Sequence, residues 1–195
     1  IYRSMKNNKI LEDMKKKNIK WVYICSVDNI LLKMVEPTLV GLTITQENEI
    51  ASKTIVKKNA KEKVGVFCLK NGKPSVIEYS ELPEDMTEQV DENGELVFGE
   101  SHIMCNLFSL NALEKLADIR LPYHIAHKKI THWLNGVKIE PTAPNSYKME
   151  SFIFDAFTYF NDITLLRGKR EEDFAPQKNT EGNASPQTAI ELYNK

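Results

Sequence analysis

Cysteine, glycine and long apolar runs are all scarce in this 195-residue chain. Its three cysteines, Cys25, Cys68 and Cys105, are odd in number and far apart in apolar surroundings. That argues against a disulfide framework or a zinc ribbon and fits a reducing, intracellular compartment. The eight glycines form no complete glycine-rich phosphate loop and no G-x-S-x-G nucleophile elbow. No apolar run reaches membrane length, because Lys33, Glu36 and Pro37 interrupt the longest candidate, and the first residues lack the pattern of a signal peptide. Charge of one sign is missing too. With a formal net charge of −1 the chain has no basic field for a nucleic-acid backbone or an anionic membrane. The expectation is a cytoplasmic protein with neither partner, in which local lysines must hold any anionic ligand.

What is present suits one soluble domain with a real core, 42% hydrophobic and 27% charged. Ile1 to Lys17 has the ragged apolar stripe of an amphipathic helix without a cap at its front, as if the chain began in mid-domain. Trp21 to Val27 reads as a buried strand, Ile30 to Val40 as a short helix broken by Pro37, and Ile50 to Lys57 as a half-buried strand. The runs Val64–Leu69 and Ser75–Tyr79 flank Asn71-Gly72, the commonest signal for a two-residue hairpin. Glu81 to Glu95 reads as an acidic excursion before a strand at Leu96–Phe98. Ile103–Phe108 is a strand, with Ser109 placed to cap a helix from Leu110 to about Asp118. Pro122 to Pro144 is irregular, whereas Met149, Phe152, Ile153, Ala156, Phe157 and Phe160 predict a buried helix over 148–160. A strand at Ile163–Arg167, a loop over 178–185 and a helix started by Pro186 complete an α/β pattern with a mixed sheet and an antiparallel hairpin insertion.

Asp28 is the first candidate for chemistry, because open α/β sheets bind ligands beyond the carboxyl ends of their strands. Alone, it reads more simply as a helix cap. Lys148, at the start of the expected helix, would add its charge to the positive end of the dipole and suit a phosphate, although single lysines are most often solvated. Lys178 follows a proline turn and could point back over the sheet edge. Phe152 and Phe154, two apart on a helix, would face different directions, one toward the core and one toward a pocket. His124, His127 and His132 have a weak zinc spacing, with two lysines set to oppose a cation.

Taken together, Val27-Asp28-Asn29-Ile30-Leu31-Leu32-Lys33, Val64-Gly65-Val66, Val76-Ile77-Glu78-Tyr79-Ser80-Glu81, Lys148-Met149-Glu150 with Phe152, Phe154 and Asp155, and Phe174 with Pro176, Lys178 and Asn179 resemble the UDP-N-acetylglucosamine pyrophosphorylases in order and spacing. The resemblance runs over nearly the whole chain. It implies a Rossmann-like, GT-A-type nucleotidyltransferase sheet, mixed and mostly parallel, flanked by helices. It also implies metal-assisted uridylyl transfer, in which UTP and N-acetylglucosamine 1-phosphate give UDP-N-acetylglucosamine and pyrophosphate. By the same resemblance Asp28 would bind Mg²⁺, with Mn²⁺ as an alternative, and Gly65 would let the backbone approach the sugar. Glu78 would accept bonds from sugar hydroxyls, Phe152 and Phe154 would wall the N-acetyl pocket, and Lys148 and Lys178 would neutralise phosphate oxygens. The chemistry is coherent, since in-line nucleotidyl transfer needs alignment, a metal and cations more than covalent catalysis.

The chain departs from that pattern at His102 and Cys105, where the family has asparagines, the first of them touching the sugar. His102 still offers one hydrogen bond but is larger and titratable. The turn Pro144-Asn145-Ser146-Tyr147 lacks the family's glycine. The family's phosphate loop and uracil-binding segment are expected ahead of Ile1, so residues 1–195 read as a partial catalytic domain without its amino-terminal nucleotide-binding portion, with negligible turnover alone. The alternatives are a relaxed or UDP-glucose/galactose-type pyrophosphorylase and a non-catalytic sugar-nucleotide-binding homologue.

Overall fold

The computed structural model describes residues 1–194. The opening stretch forms two helices, α1 (Tyr2–Asn7) and α2 (Ile10–Lys16), because Lys9 takes a left-handed conformation and breaks the single helix expected there. Tyr2 and Leu11 carry the buried stripe. Strand β1 (Trp21–Cys25) leads into the Asp28 segment, and the next helix, α3 (Pro37–Thr45), starts at the proline rather than ending there. Residues 30–36 are irregular, which corrects both the expected helix and the capping role of Asp28; proline is tolerated in a first turn and disrupts an interior.

Strand β2 (Ile50–Val56) is buried on both faces, not half-buried. The hairpin of β3 (Val66–Lys70) and β4 (Lys73–Ile77) turns at Asn71 (φ 53°) and Gly72 (φ 75°), the two positive φ values that a type I′ turn requires. The acidic excursion holds one short helix, α4 (Glu84–Thr87), and the strand expected at 96–98 is reduced to an isolated bridge between Val90 and Leu96. Strand β5 (Glu100–Ser109) runs into α5 (Leu110–Leu116), capped as expected by Ser109, whose Oγ accepts from the Ala112 N–H at 3.0 Å.

The stretch read as irregular forms two small ladders: β6 (His124–Lys128) with β9 (Ser146–Glu150), and β7 (His132–Leu134) with β8 (Val137–Ile139). The helix expected over 148–160 is replaced by β9 and a 3₁₀ helix, Ile153–Tyr159. Ala156, Phe157 and Phe160 of the expected stripe are buried and Phe152 and Ile153 partly so, but Met149 is exposed on β9, so the apolar pattern identified the inward side only from Phe152 onward and not the geometry that presents it. Strand β10 (Thr164–Arg167), α6 (Arg170–Asp173) and α7 (Pro186–Tyr193), capped by Ser185, complete the order.

The main sheet has six strands in the order β10-β2-β5-β3-β4, with β1 also on β5. It is mixed, as expected, but the proportion is reversed: among the described residues only β10 and β2 run parallel. β5 organises the site. β2 follows one of its edges from Glu100 to Phe108, while the opposite edge is shared, with β1 on Cys105–Ser109 and β3 reaching it at Ser101. The two neighbours part around residues 102–104, where Met104 adopts φ 54°. On one face Phe108, Phe157, Leu113 and Leu116 are fully buried in one core cluster that backs this fork.

Candidate active site

A cavity of about 640 Å³ opens at the fork, lined by Cys25 from the end of β1, Gly65 from the start of β3, His102 and Met104 from β5, and Glu78, Phe152, Phe154, Lys63 and Lys178. That is within the usual range for small-molecule sites. Six of the residues singled out from sequence therefore meet in one place: Gly65, Glu78, His102, Phe152, Phe154 and Lys178.

Their packing is specific. The Gly65 carbonyl accepts from the His102 N–H at 2.8 Å. A Cβ at Gly65 would come within 3.0 Å of Glu78 Oε1, so the glycine leaves room for that carboxylate. Burial raises the Glu78 carboxyl above its ordinary range and the Glu81 carboxylate adds to this, while His124 and Lys178 oppose it. His102 is buried, with Nε2 3.0 Å from Asn106 Oδ1 and its ring edge-on to Phe67, Phe154 and Phe157. Asn106 Oδ1 also accepts from Ser52 Oγ at 2.9 Å. Burial lowers His102 to about 4, against the Asn106 bond, so the ring is neutral near pH 7. Phe152 and Phe154 do not face apart: their rings stack at 4.8 Å and 16°, because an extended Phe152 precedes the 3₁₀ helix.

Asp28 lies just beyond β1, half-buried, and its carboxylate accepts from the Ser26 hydroxyl. Its backbone carbonyl accepts from the Gln177 N–H at 2.8 Å, which brings the Lys178 segment beside it. The residue that makes this joint is Asn29, 4% exposed: Nδ2 donates to the Asp173 carbonyl at 2.7 Å, and Oδ1 accepts from the Ala175 N–H at 2.8 Å. Behind it Lys53 is buried between Asp173 (2.6 Å) and Glu36 (3.0 Å). Burial works against the Lys53 charge, yet these partners hold it above its ordinary value. Sequence reading passed over Asn29, Lys53 and Lys63. An asparagine or lysine inside an apolar strand context was the available signal for the first two; Lys63 carries none.

Lys148 stands apart. It sits on the exposed strand β9, its Nζ 2.7 Å from Glu150, so the helix-dipole argument made for it does not hold. His124 and His127 lie on a strand, and no group of three or more His, Cys, Asp or Glu side chains could hold a metal among the described residues. A lone Asp28 carboxylate beside a hydroxyl still suits Mg²⁺, which takes one or two carboxylates and fills its other positions with water and phosphate.

The family of UTP–glucose-1-phosphate uridylyltransferases matches residues 1–184. This chain belongs to that family. It is 38% identical to a UDP-N-acetylglucosamine pyrophosphorylase of Saccharomyces cerevisiae over 100% of its own length and 43% of the relative's. A crystal structure from Entamoeba histolytica superposes with a TM-score of 0.88 at 34% identity, covering 98% of this chain and 48% of that one. The uridine diphosphate N-acetylglucosamine pyrophosphorylase of Trypanosoma brucei, solved with an inhibitor, gives 0.81 at 30% identity over 94% and 36%. The chain thus spans about two fifths of the length of its yeast relative. No helix among the described residues is long and apolar enough to cross a membrane.

Proposed function

We propose that the fork cavity is the sugar-phosphate side of a uridylyltransferase site that joins UTP and N-acetylglucosamine 1-phosphate into UDP-N-acetylglucosamine, releasing pyrophosphate. The observation that carries this reading is the convergence of Gly65, Glu78, His102, Phe152, Phe154 and Lys178 on one cavity, from five separate stretches of sequence. Glu78 accepts hydrogen bonds from sugar hydroxyls, and the stacked Phe152–Phe154 wall packs the acetyl group. Lys178, with Lys63 also lining the cavity, holds phosphate oxygens and aligns the attacking one with the α-phosphorus. Asp28 would hold Mg²⁺, or Mn²⁺ through the same oxygen donors, and the bound ion supplies charge neutralisation on the phosphates. Lys148 would contribute its charge from the β9 arm. The three free cysteines fit a cytoplasmic setting.

Saturation-transfer NMR of UDP-N-acetylglucosamine against this chain, with UDP-glucose as competitor, tests the reading. Transfer to the acetyl methyl that UDP-glucose does not displace, and that Phe154→Ala abolishes, is the expected result. Equal transfer from both sugars points to the relaxed or UDP-glucose/galactose-type specificity. No transfer to a folded sample overturns the assignment of the cavity. In a protein spanning the full length of the relatives, Asp28→Ala should remove most of kcat; full retention would take Asp28 out of the metal role, and binding without turnover in the unsubstituted protein would favour a non-catalytic binder.

A further inference from the structure

We propose that His124, bonded through both ring nitrogens to carboxylates, is a positioning residue that sets the distance between Glu78 and the Phe152–Phe154 wall. Its Nδ1 is 2.9 Å from Glu81 Oε1, and its Nε2 is 3.1 Å from both Asp155 oxygens. A neutral imidazole has one N–H, so only the protonated ring can donate in both directions. Each carboxylate is tied through the backbone to a residue of one cavity wall. The Glu81 N–H donates to the Glu78 carbonyl at 2.9 Å, so the two glutamates share a single turn. Asp155 accepts from the Phe152 N–H at 3.2 Å and opens the 3₁₀ helix. The His124 ring also lies against Phe152, with centroids 4.6 Å apart, and Phe152 in turn stacks on Phe154. The imidazolium therefore acts as a clamp between the carboxylate wall and the aromatic wall.

The other charged groups near this clamp are few. Glu78 feels the charges of Glu81, His124, Lys178 and Asp155, so it and Lys178 share one electrostatic cluster with the clamp. Across the β6–β9 ladder His124 faces Glu150, which is engaged by Lys148. Burial works against the His124 proton, but the Glu81 and Asp155 bonds hold its affinity above the ordinary imidazole value. With 24% of the side chain exposed, protons can exchange with solvent. As pH rises through that raised value, one bond is lost and a lone pair is turned toward a carboxylate. The two walls are then free to separate. This inference rests on the cavity being the sugar site, and it deepens that reading by making sugar binding depend on a residue outside the cavity lining.

The test has two arms on this chain. In the first, the His124 C2–H and the ring protons of Phe152 and Phe154 are followed by NMR without ligand. His124 should titrate above about 6.5, and the phenylalanine rings should move with the same midpoint. In the second, calorimetry measures UDP-N-acetylglucosamine binding at about pH 6 and about pH 8. The wild type should bind several-fold more weakly at the higher pH. His124→Gln should be weak at both, and His124→Lys, which keeps a cation, should restore affinity without the pH dependence. Stationary phenylalanine rings during the His124 titration, or identical pH profiles for wild type and His124→Gln, overturn the proposal. If the sugar nucleotide fails to bind while the rings still move together, the clamp stands and the sugar assignment falls.

Discussion

His102 should make this chain acid-sensitive over a narrow window, and His102→Gln should remove that sensitivity. The folded ring binds a proton only near pH 4 because it is buried among Phe67, Phe154 and Phe157, whereas an unfolded chain protonates at about 6.5. Between those values the unfolded state carries the extra proton, so stability is complete above about 6.5, falls as pH drops, and loses nothing further from this group below about 4. A difference of about 2.5 units at ~1.4 kcal/mol each gives a loss of about 3 kcal/mol. Glutamine keeps an N–H donor for Asn106 Oδ1 but does not titrate. Urea unfolding, followed by tryptophan fluorescence at several pH values, gives the stability of both proteins. Carboxylates and His124 contribute to both curves and cancel in the difference. The wild-type advantage over His102→Gln should therefore shrink by about 3 kcal/mol on going from about pH 7 to about pH 4. A difference constant to within about 0.5 kcal/mol, or a His102 C2–H resonance titrating near its ordinary value, would refute the burial argument.

Two further predictions concern groups at and behind the cavity wall. Asn29→Ala leaves the Asp173 carbonyl and the Ala175 N–H without partners in a buried place, so denaturation should show a loss of about 2–4 kcal/mol, and a loss under about 0.5 kcal/mol would mean that water replaces the amide. Cys25 and Cys105 face each other across β1 and β5 with their sulfurs 4.0 Å apart, and the flanking bonds from Ser26 N to Met104 O and Leu110 N to Lys20 O make theirs a non-hydrogen-bonded pair. Such pairs bring Cα atoms to about 4.5 Å, within reach of a disulfide. Oxidised glutathione should therefore yield a Cys25–Cys105 cross-link and two equivalents of glutathione, with Cys68 still open to alkylation. Peptide mapping that finds only mixed glutathione adducts would count against it.

The difference between what was legible and what was not follows from the range of the interactions involved. The Asn71-Gly72 hairpin, the Ser109 cap and the helix start at Pro186 depend on a few adjacent residues, and each stood where the sequence placed it. The segment 148–160 failed because its apolar spacing of three and four fits a 3₁₀ turn after a strand nearly as well as an α-helix, and the choice was made by β6 pairing with β9. Without that helix, the reason for favouring Lys148 disappeared, while Phe152 and Phe154 came together instead of apart.

The cavity itself is a property of strand pairing that no local pattern encodes. It exists because β1 and β3 both claim one edge of β5 and part at residues 102–104. That parting leaves Gly65 bonded to His102 and the segment leading to Asp28 bonded to Met104, with the cavity opening between them. A residue joining such distant pieces has no reason to look special in sequence. Asn29 seemed an ordinary neighbour of Asp28, and His124 a weak metal ligand. Their roles appear only once 173–176 and 152–155 fold back onto them. The sequence signals that survived at this site were therefore those of side chains whose chemistry the cavity uses directly. The residues that hold its walls apart had to be found from contacts, and it is on them that pH should act first.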